Sequence, residues 1–221
     1  MSAQRQSTKD MYAAYGKARP QRIFITLVAA ACVGVAWWVL FGQALEWVDA
    51  RFELHWRLGD EARRLALGIA LTIYFVRLLF AQFVFLKRAV SWSEAWAVGP
   101  WILIIYLVLA FAGGTNPVPF SAASVAGCVL FVLGSWINSH AEYARHMWKE
   151  RPENRGRLYT AGLFRYSRHP NYLGDLISFS GLCMMAGRWP TLAIPLIMFA
   201  GFLFVNIPML DSHLRHHYGP A

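Results

Sequence analysis

The chain has 221 residues, 57% hydrophobic and 15% charged, with 10 Trp and 15 Phe. Soluble domains are nearer a quarter charged, so this composition excludes an ordinary water-soluble enzyme and asks for a bilayer as solvent. The formal net charge of +9 is divided among connectors rather than gathered on one face, which fits positive-inside bias and anionic lipid headgroups and argues against nucleic acid.

Six mostly apolar runs read as transmembrane helices, over 23–41, 65–86, 95–111, 120–137, 172–186 and 191–210. The fold class expected is therefore an all-α integral membrane protein, a single polytopic domain over 1–221. The segment 1–22 carries Arg5, Lys9, Lys17, Arg19 and Arg22 against Asp10 alone. The connector 43–64 has five acids and four bases, whereas 140–170 has seven Arg or Lys against three Glu. Positive charge alternates from side to side, so the basic sides, 1–22 and both termini are expected in the cytoplasm. Cys32, Cys128 and Cys183 lie inside spans and far apart. They suit packing rather than a disulfide or metal, and no metal site is expected.

Polar residues inside these runs carry the functional argument. In the second, Arg77 lies about 13 Å below the end at Leu86, counting 1.5 Å per residue. An arginine at that depth turns toward a neighbouring helix or a wet cavity. Two readings stand, a structural ion pair and a catalytic cation, and Tyr74 shares the neighbourhood. Ser91 and Glu94 form the S-x-x-E pattern of a capping box, which accounts for Glu94 as well as a catalytic role does. On the fourth run, Asn138, Glu142 and Arg145 recur at i, i+4 and i+7, one helical stripe that continues out of the membrane. A plain interfacial amphipathic helix would have a similar pattern.

The stretch YSRHPNYLGDL begins at Tyr166. Pro170 fits the first turn of a helix and not its interior, so the fifth helix should begin there. Asn171, Asp175 and Ser178 then share a face, with Arg168 and His169 just before the helix start. The sixth run ends in NIPMLDSHLRHHYG, which brings Asn206, Asp211, His213 and His217. The four-residue spacing of the two His suits a metal, but without a third ligand it also suits solvated interfacial side chains. Three polar stripes thus end on one side, as a soluble, charged ligand from the cytosol would require, while the apolar remainder suits a lipid-like substrate.

The run ERPENRGRLYTAGLFRYSRHPNYLGDL, 150–176, resembles the C-terminal signature of the membrane superfamily of steroid 5-alpha-reductases, delta-14 sterol reductases and isoprenylcysteine carboxyl methyltransferases. R-H-P-N-Y followed by G-D looks most like the reductase branch and its bacterial relatives. The resemblance implies that 134–221 binds NADPH or, alternatively, S-adenosylmethionine from the cytosolic side. It implies cofactor contact for Arg168, His169, Asn171, Tyr172 and Asp175. Asn138 matches the polar position ending the preceding helix, and Asp211, His213 and His217 match the His-bearing end of the last one loosely. Relatives usually continue past that tail with an aromatic segment that closes over the cofactor, whereas this chain stops at HHYGPA. NADPH brings a pyrophosphate and a 2′-phosphate, which Arg145, Arg157, Arg165 and Arg168 can meet, with Glu142 on the same stripe. The expected activity is reduction of a C=C bond in a steroid- or isoprenoid-like membrane substrate, with Tyr74, Arg77 and Glu94 as polar candidates for catalysis. A methyltransferase and a non-enzymatic lipid-binding protein are the alternatives.

Overall fold

The computed structural model describes residues 19–218, together with their side chains except those of His213 and 215–218. Helix α1 (Arg19–Phe41) leads into a short α2 (Ala44–Phe52). α3 (Glu61–Phe80) runs on as a π-helical turn, Ala81–Phe85. α4 (Trp92–Gly114), α5 (Ala122–Lys149) and α6 (Pro170–Ala186) follow. The last run comprises α7 (Ala193–Gly201), a π turn at Phe202–Asn206 and α8 (Ile207–Tyr218).

Five helical runs are long and apolar enough to cross a membrane: Arg19–Phe41, Glu61–Phe85, Trp92–Gly114, Ala122–Lys149 and Trp189–Ser212. The fold is the all-α membrane bundle expected, with one difference in detail. α6, expected as the fifth span, has only 17 residues. At 1.5 Å per residue that is about 25 Å, short of a hydrocarbon core of about 30 Å. It is a partly sheathed helix whose polar stripe is covered by α5 and α3. Pro170 stands at its first turn, as its missing N–H requires, and Gly187 closes it in the left-handed conformation with φ 68°.

The bundle is apolar inside and out. Leu40, Leu67, Ile105, Leu109, Phe179 and Leu182 are buried, while Leu27, Leu65, Val129, Leu196 and Phe204 point outward. In lipid that outward face carries no penalty, and close packing has to hold the helices together. α5 and α6 have the most extensive interface, alongside α1 with α4. Glycines make the first of these possible. A Cβ on Gly134 would stand 2.4 Å from the Ser178 N, and one on Gly174 2.5 Å from the Asn138 N. One on Gly181 would stand 2.5 Å from the Gly127 O. The two backbones therefore touch along a seam of small residues spaced by seven on each helix.

At the C-terminal end of α6 a second polar group closes the bundle. Arg63, 1% exposed, donates to the carbonyls of Met185, Val118 and Pro119. Asn116 Nδ2 donates to the Ala186 and Gly187 carbonyls, each at 3.0 Å. These donors satisfy carbonyls that the helix end leaves unpaired, which is why a charged side chain is stable there.

Candidate functional site

The glycine seam sets the α5 stripe directly against the start of α6. Asn138 Nδ2 donates to the Asn171 carbonyl at 3.0 Å, and Asn171 Nδ2 donates to Glu142 Oε1 at 3.0 Å. Arg145 donates to Glu142 Oε2 and lies over the Phe164 ring, 5.9 Å from its centroid. These three α5 residues are thus a bridged polar face and not a free amphipathic surface.

The terminal helix joins from the other side. Asp211 lies 3.4 Å from His169 Nε2 and 3.7 Å from Arg168 Nη1. The His169 contact falls short of hydrogen-bond geometry, leaving Nε2 buried without a bonded partner. Burial pushes the His169 imidazole below its usual pKa, against the opposing pull of Asp211. The His169 ring stacks on Tyr172 at 5.3 Å, and Tyr172 stacks on Phe202 at 4.4 Å and 9°. Phe202 opens the π turn of the last run, a distortion that often accompanies functional sites. Arg157 and Arg165 stand exposed on the connector between α5 and α6.

One turn further into α6, Asp175 Oδ1 accepts from Arg77 Nη2 at 3.0 Å. Arg77 Nη1 donates to Ser135 Oγ at 3.0 Å and, at 3.5 Å, to Ser178 Oγ. The Tyr74 ring lies 6.0 Å from the Arg77 guanidinium carbon and packs edge-on against Phe179 at 5.1 Å. The ion-pair reading of Arg77 therefore holds, and its partner is a residue of the α6 stripe.

Glu94 is engaged elsewhere. Its backbone N–H donates to Ser91 Oγ at 3.1 Å, so the capping interaction forms, and its carboxylate receives both Arg88 Nη atoms. Arg22 reaches the carbonyls of Gln82 and Arg88 at the same corner. The side chains of His213 and His217 lie outside the described residues. Among the described residues, no group of three or more His, Cys, Asp or Glu could hold a metal ion.

Sequence reasoning missed the glycine seam, the Arg63–Asn116 closure and the Tyr172–Phe202 stack. The seam had a legible signal, Gly127 and Gly134 against Gly174 and Gly181. The other two depend on contacts between distant segments.

A probable O-methyltransferase of Ustilaginoidea virens is 36% identical over 98 residues, 42% of this chain and 34% of that protein. Human 3-oxo-5-alpha-steroid 4-dehydrogenase 2 is 30% identical over 92 residues, 42% of this chain and 33% of that protein. A steroid 5-alpha-reductase of Gossypium hirsutum is 29% identical over 65 residues, 29% of this chain and 25% of that protein. The matches span about a third or less of these relatives' length. No solved structure matches. The family described as "Protein of unknown function (DUF1295)" matches residues 94–221, which take in the α5, α6 and α8 stripes. The chain belongs to that family, a multi-pass helical membrane protein with likeness to steroid reductases and to an O-methyltransferase.

Proposed function

We propose that this protein is a membrane-embedded, NADPH-dependent reductase of a C=C bond in a lipophilic, steroid- or isoprenoid-like substrate. The site is taken to open to the cytoplasm, with both termini on that side. The observation that carries the reading is the gathering of polar side chains at the start of α6, the Asn138–Asn171–Glu142 bridge and, one turn deeper, the Arg77–Asp175 pair inside the bundle. Likeness to steroid dehydrogenase and reductase sequences over 42% and 29% of the chain supports it.

The residues present fit a phosphate-bearing nucleotide. Arg157, Arg165 and Arg168 offer exposed guanidinium groups for phosphate oxygens, and the planar guanidinium fork binds two such oxygens at once. Asn138, Glu142, Arg145 and Asn171 would orient hydroxyl and amide groups, and the Tyr172–Phe202 pair offers a flat aromatic surface. His169 and Asp211 would close the site from the far side. When bound, the nicotinamide supplies hydride. The chain's own part is to aim it inward beside Asp175 and to exclude water. Arg77 and Tyr74 would hold and polarise a carbonyl conjugated to the reacting bond, with the Tyr74 hydroxyl as the candidate to give the proton that completes the reduction. Glu94, tied to Arg88, takes no part.

The similarity to a probable O-methyltransferase favours a second reading, in which the same cluster holds S-adenosylmethionine. Thermal stabilisation of the detergent-purified protein, titrated separately with NADPH, NADH and S-adenosylmethionine, tests both. A rise with NADPH supports the reductase. A rise with S-adenosylmethionine alone replaces it with the methyltransferase, and no response to any of the three removes both.

A further inference from the structure

The connector between α1 and α3 sits at one end of the bundle. Arg64 Nη1 donates to the Leu40 carbonyl at 2.7 Å, and the Gly59 N–H donates to the Gly114 carbonyl at 2.7 Å. Asn116, just past α4, holds the Ala186 and Gly187 carbonyls. The end of α1, the start of α3 and the ends of α4 and α6 therefore meet at one level, on the face opposite Pro170. α1, α3 and α4 belong to runs long and apolar enough to cross a membrane, so this level is a membrane boundary.

Residues 42–60 leave the bundle and return to it there. α2 has 9 residues, about 13 Å at 1.5 Å each, too short to cross a bilayer. Ala44 and Leu45, 1% and 2% exposed, tie its first turn to the bundle. Past Phe52 the chain turns back through two left-handed residues, Glu53 at φ 52° and His55 at φ 54°. The Trp56 N–H then donates to Asp49 Oδ1 at 2.8 Å, and its ring packs on Phe111 at 5.5 Å. A Cβ on Gly59 would stand 2.3 Å from the Asn116 O, so the returning strand is pressed onto the end of α4. This connector is a fixed lobe.

Its surface is two-natured. Trp47 and Phe52 are 62% and 63% exposed, and Leu54 and Leu58 are each 44% exposed. From Arg51 the sequence reads RFELHWRL, in which Arg, Glu or His alternates with a large apolar residue throughout. Water has no use for the second set and hydrocarbon rejects the first, whereas the headgroup layer accommodates both. Trp38, exposed in the last turn of α1, and Trp189, exposed just after α6 ends, stand at the same face. Tryptophans gathered at one level mark a membrane–water interface. The lobe has Glu46, Asp49 and Glu53 against Arg51 and Arg57, so attraction to anionic headgroups is not what would hold it there.

We propose that the lobe 44–58 is an interfacial anchor, seated in the headgroup–acyl boundary of the leaflet opposite Pro170 and contacting zwitterionic phospholipid. It fixes the depth at which α1, α3 and α4 sit in the bilayer. The inference uses the membrane-spanning runs and does not rest on the reductase reading.

The test uses the full chain in phosphatidylcholine nanodiscs, one copy per disc, with a trace of either of two photoreactive phosphatidylcholines. One carries a diazirine beside the glycerol ester and the other carries it at the acyl-chain end. Labelling is mapped by peptide mass spectrometry. Peptides from 44–58 are expected to take the shallow probe at least about five-fold more than the deep one. Those around Phe199, exposed within the last span, should favour the deep probe. Trp47→Ser combined with Phe52→Ser should remove most of the shallow label while the thermal midpoint stays near native, since both side chains are exposed. Replacing about a third of the lipid by phosphatidylglycerol should leave the labelling ratio within about two-fold. Labelling by neither probe above that of discs kept dark places the lobe in water, and a preference for the deep probe places it in hydrocarbon. Either overturns the proposal, as does unchanged labelling in the double variant. Labelling that needs phosphatidylglycerol replaces the apolar anchor with a charge contact and overturns it too. Loss of the shallow label in proteoliposomes, together with a lobe-to-lobe crosslink, assigns the surface to a second copy instead.

Discussion

Arg77 and Asp175, 98 residues apart in the chain, meet at 3.0 Å between α3 and α6. The contact ties the N-terminal helices to the half of the chain that carries the polar stripes. It also explains how two charges are tolerated inside an apolar bundle, since each neutralises the other and Ser135 Oγ accepts a hydrogen bond from a further N–H of the guanidinium. Removing one partner of a buried pair costs roughly 3–5 kcal/mol, because the survivor is left uncompensated. Asp175 keeps 25% of its side chain accessible, so Asp175→Leu should fall near the lower end, about 3 kcal/mol. Arg77→Met with Asp175→Leu should recover a good part of that loss. Denaturation midpoints of the two single variants and the double variant in one detergent check it, and additive losses would contradict it.

The α5–α6 seam makes a sharper stability prediction. Gly134→Ala would put a methyl carbon 2.4 Å from the Ser178 N, and Gly174→Ala would put one 2.5 Å from the Asn138 N. Both neighbours are backbone and cannot swing aside, so each change should cost about 1–3 kcal/mol, as overpacking does. Gly201→Ala meets nothing within 4 Å and should be neutral or stabilising, by up to ~1 kcal/mol from helix propensity. Thermal midpoints of the three variants side by side test this. Because the seam sets Asn138 against Asn171, Gly134→Ala should also weaken whatever nucleotide response the native protein has.

How far all this was legible depends on the range of each interaction. The Asn138–Glu142–Arg145 stripe, the start of α6 at Pro170 and the Ser91 cap follow from local spacing, and each stands where the periodicity required. The partner of Asp175 did not, because no local rule links positions 98 residues apart. Arg63 reads in the sequence as one of several bases in a mixed connector, yet it is 1% exposed and caps α6. Burial there is decided by where the α4 and α6 ends meet. α6 stands where the apolar run 172–186 put it, and its polar stripe is sheltered by α5 and α3.

His169 links the site to pH. Its imidazole is held below the ordinary 6.5 by burial, with Arg168 and Arg145 adding repulsion and Asp211 opposing. The unfolded chain therefore takes up a proton that the folded one resists. Stability from this residue is fully present above about 6.5 and is lost as pH falls from there through the lower folded value. His169→Asn should flatten this part of the profile. Thermal midpoints of native and variant protein between about pH 5 and 7.5 would show the two curves converging as the pH falls. Parallel curves would remove His169 as the source.

Arg63 permits a separation of structure from function. It serves the end of α6 opposite His169, where its guanidinium satisfies three carbonyls, those of Met185, Val118 and Pro119. Hydrogen bonds from a charged group contribute roughly 1.5–3 kcal/mol each, and carbonyls left unpaired in an apolar setting add to the loss. Arg63→Met should thus lower the thermal midpoint as strongly as any site variant. It should nevertheless leave the nucleotide dissociation constant within about two-fold of native, a difference of roughly 0.4 kcal/mol, because α6 is about 25 Å long and the polar cluster is at its other end. Asn171→Ala should do the opposite, with a modest stability loss of about 1 kcal/mol for a lost hydrogen bond and a large drop in affinity. Measuring stability and nucleotide affinity on both variants decides it. If Arg63→Met abolished binding at a temperature where the protein stays folded, the two ends of α6 would be coupled and the cluster around Asn171 would not be a self-contained site.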